Sequence, residues 1–446
     1  MSKSKKGLLN KFEKIGKTIV MPITILPIAA LLLTVGQPDL WQYFGALPNG
    51  IPWMIAVGTA VFNNLPLIFA ISIAVGLADK NNGMAAIAAV VGYFILISVA
   101  KTINKNINIG ILVGVIVGVL SSQLYNKYKE VKTFEYLGFF GGKKFVLIIT
   151  SMYSLLIGII TGYLWPIIQK GINIAVNNNN IFDTGTKGVF LLGFFNRLLM
   201  PFGLNTVEYT SSNYMAGLFP IMMFALPASC LAMIKMAKKE NKKNITVMFL
   251  YIAFISLITG IAEPIEFIFM FLSPLLYVVH AFLAGLSFAL ASYIGIKNGF
   301  EFSPGLIDYL LNLNSRSNPL AIIGLGVVFG VIYYFIFILF IKKFDIQTPG
   351  RYYEEELVTL SNLKNDELDA KAEEIIEAIG GKENIISIKA CITRIRLKVV
   401  EETKVDEDNL KEIGVTGVIK LDKVNYVIVV GNTSEILVKK IKKYLT

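Results

Sequence analysis

The chain has 446 residues, 54% of them hydrophobic, and a mean hydropathy of +0.63, which excludes a single soluble globule and points to a polytopic membrane protein. Its formal net charge of +11 invites a nucleic-acid reading. Lysines gathered in cytoplasmic loops give the same excess, however, and the basic stretches lack the interleaved aromatics of a nucleic-acid face.

In chain order, the first 17 residues carry six lysines against one glutamate, which predicts a cytosolic N-terminus. Residues 18–35 are apolar with no small-residue cleavage site after them, so they read as a retained span. Further apolar segments lie near 53–77, 84–100, 108–124, 145–168, 188–200, 215–236, 245–260, 265–296 and 320–341. Together they predict a polytopic α-helical domain of about ten transmembrane helices over 1–350. The basic connections at 125–132 and 235–243, and Lys342 and Lys343 after the last span, are expected to face the cytosol. With both ends inside, the number of crossings is even. A polar, acidic linker over 351–370 and a small soluble cytoplasmic domain over 371–446 follow.

Four places in the membrane half are too polar for plain lipid-facing helix. Two adjacent amides precede a proline in Phe62-Asn-Asn-Leu-Pro66, as either a helix break lining a cavity or a turn. Arg197, in Asn196-Arg-Leu-Leu-Met-Pro-Phe-Gly203, is costly at membrane depth and is expected to face a cavity or a partner, although a snorkelling side chain is the bland alternative. In Gly260-Ile-Ala-Glu-Pro-Ile-Glu266, Pro264 removes a backbone donor and favours an irregular segment, which membranes tolerate only inside protein or beside water. Glu263 and Glu266 are three apart, hence on nearly one helical face. Such carboxylates can accept hydrogen bonds from the hydroxyls of a ligand or take a hydroxyl proton; an ion pair with Arg197 that merely closes the bundle is the competing reading. The stretch Asn298–Asp308 reads as a polar loop without an assigned role. His280, the chain's single histidine, reads as a helix-packing residue, and the tail has no histidine.

In the tail, Arg394, Arg396 and Lys398 alternate with Ile395, Leu397 and Val399 in the period of a half-buried strand. Residues 384–388 would form its partner, with Cys391 in the connection between them. The other cysteine, Cys230, sits far away in an apolar segment, which argues against a disulfide framework and suits a reducing compartment. Nearby guanidiniums favour a nucleophilic thiolate and would hold a phosphoryl group bidentately; a small buried cysteine in an ordinary basic strand is the alternative.

The tail, from Ile-Glu-Ala-Ile-Gly-Gly-Lys-Glu-Asn through Ala390-Cys-Ile-Thr-Arg-Ile-Arg-Leu397, resembles the IIB domain of sugar phosphotransferase systems of the glucose group. Gly-Ile-Ala-Glu-Pro-Ile-Glu-Phe, Phe-Phe-Gly-Gly-Lys-Lys-Phe-Val, Asn-Arg-Leu-Leu-Met-Pro-Phe-Gly-Leu and Thr-Pro-Gly-Arg351 are similar to the IIC transporter of glucose and N-acetylglucosamine permeases. The resemblance implies a membrane IIC domain followed by an α/β IIB domain with a split antiparallel sheet. It implies a phosphocysteine at Cys391 within a motif that includes Thr393, with Arg394 and Arg396 holding the phosphate. It places sugar contacts at Glu263, with Arg197 near the same site. Glu266 and Asn205 complete the expected substrate set, Asn205 standing where the family usually has a histidine. The implied reaction is uptake of a hexose with phosphorylation at its 6-position, from a separate phosphorylated IIA protein, by a homodimer in the bacterial cell membrane with both termini cytoplasmic. No cofactor or metal is expected. A gradient-driven sugar transporter with a regulatory tail, using Glu263 and Glu266 for protons, and a membrane sensor remain the alternatives from other classes.

Overall fold

The computed structural model describes residues 15–351 and 365–445 apart from 17, 20–21, 132–140, 178–184, 204–211, 240, 297–298, 301, 314–317, 392–393, 416, 423 and 431–432. The chain divides into two compact units, Met1–Arg351 and Tyr352–Thr446.

Among its described residues, all the regular secondary structure of the first unit is helical. Its longer helices are α1 (Leu26–Gly36), α2 (Pro52–Asn63), α3 (Leu65–Leu77), α4 (Gly83–Ile103), α5 (Leu112–Tyr128), α6 (Phe145–Asn177), α7 (Thr186–Leu199), α8 (Met215–Met236), α9 (Lys242–Thr259), α10 (Glu263–Leu272), α11 (Pro274–Tyr293) and α12 (Pro319–Lys343). Among the described residues, each of the ten apolar segments of the sequence overlaps helix. Six helices among the described residues are long and apolar enough to cross a membrane, or seven when α2 and α3, bent by 48° at Asn64, count as one broken span. Helices α1, α5 and α7 have only 11, 17 and 14 residues, against the roughly 20 that a hydrocarbon core requires. Hydropathy registers apolar segments without registering where a helix stops, which is why segments and full-length spans differ in number.

The helix breaks follow from local chemistry. Gly260 closes α9 in the left-handed region at φ +72°, where a side chain would be strained. The freed Ile261 N–H donates to Thr259 Oγ1 at 3.1 Å. Pro264 then falls in the first turn of α10, where its missing donor costs nothing. Within α8 a π-helical turn at Ile221–Ala225 leaves the Met222 carbonyl to accept from Ser256 Oγ at 2.9 Å. Aromatic edges fill the interior: Phe69 meets Phe267 and Phe271 edge-on at 5.5 and 5.8 Å, and Phe269 meets Phe337 at 5.2 Å. Exposed Phe94, Leu156, Val247 and Phe335 dress the outer faces as lipid-facing surface.

The second unit holds a four-stranded antiparallel sheet in the order β1-β2-β4-β3, from β1 (Ile385–Cys391), β2 (Arg394–Val399), β3 (Gly417–Lys420) and β4 (Asn425–Val429). Helices α13 (Asn365–Ala378) and α15 (Ser434–Leu445) cover one face, and the short α14 (Glu407–Glu412) leads towards β3. Ile388, Ile395, Leu397 and Ile428 supply the sheet's share of the core against Ile375, Leu437 and Ile441. The alternation in β2 is as its sequence predicts: Ile395, Leu397 and Val399 are buried, while Arg396 and Lys398 are exposed.

Candidate functional site

Three of the four polar motifs of the membrane half meet in space. Asn63 at the α2–α3 bend, Asn108 and Lys101 beyond the end of α4 and near it, Gly203 after α7, and Glu263 at the start of α10 all line one cavity of about 470 Å³. That size lies within the roughly 300–1,000 Å³ of small-molecule sites. Of the two readings of Phe62–Pro66, the structure has the cavity-lining helix break.

One wall is a backbone crossing. Gly110 and Gly203 both lie in the left-handed region, at φ +62° and +66°, and Ile111 N–H donates to the Pro201 carbonyl at 3.1 Å across them. A Cβ on Gly203 would sit 2.4 Å from Asn108 Oδ1 and 2.4 Å from the Gly110 nitrogen, so only glycine permits the approach. Asn108 Oδ1 accepts from the Gly110 N–H at 3.0 Å, and the Asn108 carbonyl accepts from Trp165 Nε1 at 2.7 Å. The wall is therefore braced from α6.

The two glutamates of α10 have different surroundings. Glu263 is half-buried on the cavity wall. Glu266, 1% exposed, accepts from Arg197 Nη1 at 3.1 Å through Oε1. Arg197 also donates to Asn196 Oδ1 from Nε and Nη2, at 3.0 and 2.9 Å, and Tyr277 donates its hydroxyl proton to the Arg197 carbonyl. Arg197 thus faces a partner carboxylate, and neither it nor Glu266 lines the cavity. His280 Nε2 approaches the same Glu266 oxygen at 3.3 Å, and His280 Nδ1 lies 3.0 Å from the Tyr333 hydroxyl. Sequence reasoning set His280 aside as packing and did not single out Tyr277 or Tyr333; a lone histidine facing a buried acid carries no periodic signature. Lys101 was likewise missed, although a lysine near the end of an apolar helix was the available signal. Asn205 lies outside the described residues.

In the second unit, β1 runs on to Cys391, so the thiol-bearing residue ends the strand and does not fall in the connection. Antiparallel register continues because the apolar alternation of β1 and β2 is maintained through Ala390 and Ile395. Cys391 is the cross-strand partner of Arg394, and Lys389 that of Arg396. On the far side of β2, Arg394 pairs with Val429 and Arg396 with Val427. Thr393 and linker residues 352–364 lie outside the described residues.

The comparisons agree with this two-part organisation. A family model described as phosphotransferase system, EIIC matches residues 16–285, and one described as phosphotransferase system, EIIB matches residues 373–406. The chain is 38% identical over 460 residues to the PTS system N-acetylglucosamine-specific EIICB component of Bacillus subtilis, covering 98% of this chain and 99% of that one. It is 39% identical to the PTS system N-acetylglucosamine-specific EIICBA component of Escherichia coli, covering 98% and 72% of the two chains. With the PTS system glucosamine-specific EIICBA component of Bacillus subtilis the identity is 36%, over 96% and 73%. Matched from end to end in this way, the chain belongs to the EIIC–EIIB family of the phosphotransferase system, multi-pass membrane enzymes that take up a sugar and phosphorylate it.

Proposed function

We propose that this protein takes up N-acetylglucosamine and phosphorylates it at the 6-position by group translocation, with Cys391 as the phosphocysteine intermediate. The observation that carries the reading is Glu263 on the wall of a cavity of about 470 Å³, in a chain aligned over 98% of its length with an N-acetylglucosamine-specific EIICB component. In this reading residues 1–350 form the IIC transporter, 351–370 the linker and 371–446 the IIB domain, whose tether raises the effective concentration of Cys391 at the membrane. A IIA protein supplied in trans phosphorylates Cys391, as the EIICB designation of the Bacillus relative supports. The permease works as a homodimer.

Glu263 binds the sugar near its 6-hydroxyl. Asn63, Lys101 and Asn108 offer it further hydrogen-bonding groups from the opposite walls, with Asn205 as an additional contact. Arg197 and Glu266 stand behind Glu263 as a pair. In the transfer step the 6-hydroxyl oxygen forms a bond to phosphorus as the S–P bond of phosphocysteine breaks, the thiolate leaves, and the hydroxyl proton passes to a carboxylate. Arg394 and Arg396 neutralise the phosphoryl oxygens, and Thr393 belongs to the same sequence motif. In-line transfer needs positioning and charge neutralisation more than covalent help.

Both termini are cytoplasmic in this reading. Lys129 pairs with Asp79 at 2.5 Å, bringing the end of α3 to the basic connection after α5. Lys238 N–H donates to the Gly350 carbonyl at 3.0 Å, so the second basic connection lies beside the exit to the linker. Basic loops are retained in the cytosol.

The test is sugar phosphorylation by membranes holding this chain, supplied with phosphoenolpyruvate and the soluble phosphotransferase proteins, across a panel of hexoses. N-acetylglucosamine 6-phosphate formed by wild type and not by Cys391→Ser is the expected result. Uptake that follows a pH gradient and is indifferent to Cys391→Ser would overturn it.

A further inference from the structure

A small polar cluster behind the cavity wall is not used by the chemistry above. Glu266 Oε1 takes Arg197 Nη1 at 3.1 Å and lies 3.3 Å from His280 Nε2, off the line of a hydrogen bond. Glu266 Oε2 has no hydrogen-bond partner among the described residues. His280 Nδ1 is 3.0 Å from the Tyr333 hydroxyl, which also lies 3.3 Å from the His280 carbonyl. Four helices thereby meet around one carboxylate: α10 carries it as Glu266, α7 donates to it through Arg197, α11 brings His280 beside it, and α12 reaches His280 through Tyr333. Glu266 is 1% exposed and His280 fully buried, and none of Glu266, His280 and Tyr333 lines the cavity.

Buried ionic groups seldom add net stability over apolar packing of equal volume, so their best use is to select one arrangement among several. Here there is an arrangement to select. Helix α10 has 10 residues and is entered through the left-handed break at Gly260, so continuity with α9 does not set its rotation. Glu263 and Glu266 share its first turn; whatever holds Glu266 also sets where Glu263 points.

We propose that His280 and Tyr333 are positioning residues for sugar capture. They hold Glu266 against Arg197, which fixes the rotation of α10 and with it the Glu263 carboxylate at the cavity wall. The inference rests on the reading of Glu263 as a sugar contact.

The experiment is equilibrium binding of N-acetylglucosamine to the purified full chain, with thermal unfolding measured on the same samples, for wild type, Glu263→Gln, His280→Leu, His280→Gln and Tyr333→Phe. Folded His280→Leu and Tyr333→Phe should bind the sugar about tenfold more weakly, while His280→Gln, whose amide keeps a donor facing the Glu266 carboxylate, should remain within about threefold. Leu and Gln at position 280 weakening binding equally, or folded Tyr333→Phe and His280→Leu binding as wild type, would show packing only and overturn the proposal. Glu263→Gln separates the two levels. If it binds as wild type, the sugar-contact reading fails and takes the positioning role with it. If it weakens binding while the His280 and Tyr333 variants do not, positioning fails by itself.

Discussion

Glu263 and Glu266, one helical turn apart on α10, are committed to different tasks: the first lines the cavity and the second receives the Arg197 guanidinium. Their isosteric amides are therefore expected to fail differently. Glu263→Gln should leave thermal stability close to wild type and reduce kcat/KM for sugar phosphorylation by roughly 100-fold, the scale of a lost acid–base or charged hydrogen-bonding group. Glu266→Gln leaves the Arg197 charge without its carboxylate, and breaking one side of a buried pair costs about 3–5 kcal/mol. Thermal unfolding in detergent should show the second loss, and a single-turnover phosphorylation assay the first. Equal destabilisation by the two variants would remove the distinction.

In the second unit the cross-strand pairing of Cys391 with Arg394 and of Lys389 with Arg396 makes a prediction about the phosphorylated state. Arg396→Lys keeps the charge and loses the bidentate fork, so phosphoryl transfer should slow by roughly tenfold, whereas Arg396→Ala should slow it by about 100-fold. Radiolabel on the protein, chased by added sugar, reads the step directly. Arg396→Lys transferring at the wild-type rate would mean that charge is sufficient and the fork is not used.

Much of this was legible in the residues, for identifiable reasons. The β2 strand announced itself because period-two alternation of Ile395, Leu397 and Val399 with basic residues has one structural solution beside a core. The helix breaks announced themselves because Asn63-Asn-Leu-Pro66 and Gly260-Ile-Ala-Glu-Pro264 put amides, a carboxylate and prolines inside apolar runs, where membranes penalise them. What was not legible is convergence. Nothing local in His280 or Tyr333 says that α11 brings the one to Glu266, 14 positions away, or that α12 brings the other to His280, 53 positions away; that is a property of packing between helices. Nor did spacing say that Glu266 and Glu263 would part company, since three residues place them on one face without naming what stands opposite each. The extra reach of β1 to Cys391 was missed because a strand end is set by cross-strand hydrogen bonding and register, which composition does not record.

The crossing of Gly110 and Gly203 gives a third prediction. Alanine at position 203 must adopt φ +66° and place its Cβ 2.4 Å from Asn108 Oδ1. The conformation costs about 1–2 kcal/mol before the overlap is counted, and relief requires Asn108 or the Gly110 backbone to move away. Both line the cavity, so Gly203→Ala should weaken sugar binding by more than tenfold while Cys391 is still phosphorylated by its donor at the wild-type rate. Gly185, at φ +71° and ψ −141° but with open space around its Cβ position, is the control: that conformation is still less open to a side chain, so Gly185→Ala should carry at least as large a backbone cost without the binding defect.

The turn between β3 and β4 is expected to respond to acid, and its chemistry sets the sign. The Asn425 side-chain amide, and then the backbone N–H groups of Val424 and Asn425, donate to the Asp422 carboxylate and hold its pKa below the usual aspartate value. A depressed value in the folded state means that the carboxylate contributes stability above its unfolded pKa, about 4, and that the contribution is lost as pH falls through the lower folded value. Asp422→Ala should therefore loosen the hairpin at neutral pH, and the difference from wild type should shrink towards zero in acid. Because β4 pairs directly with β2, Arg396 opposite Val427 and Lys398 opposite Asn425, the loosening should reach the basic strand beside Cys391. Hydrogen exchange of β3, β4 and β2 in the full chain, variant against wild type at each pH so that intrinsic rates cancel, measures both. A difference that persists unchanged at pH 3 would assign the effect to lost packing at the turn and not to the ionised carboxylate.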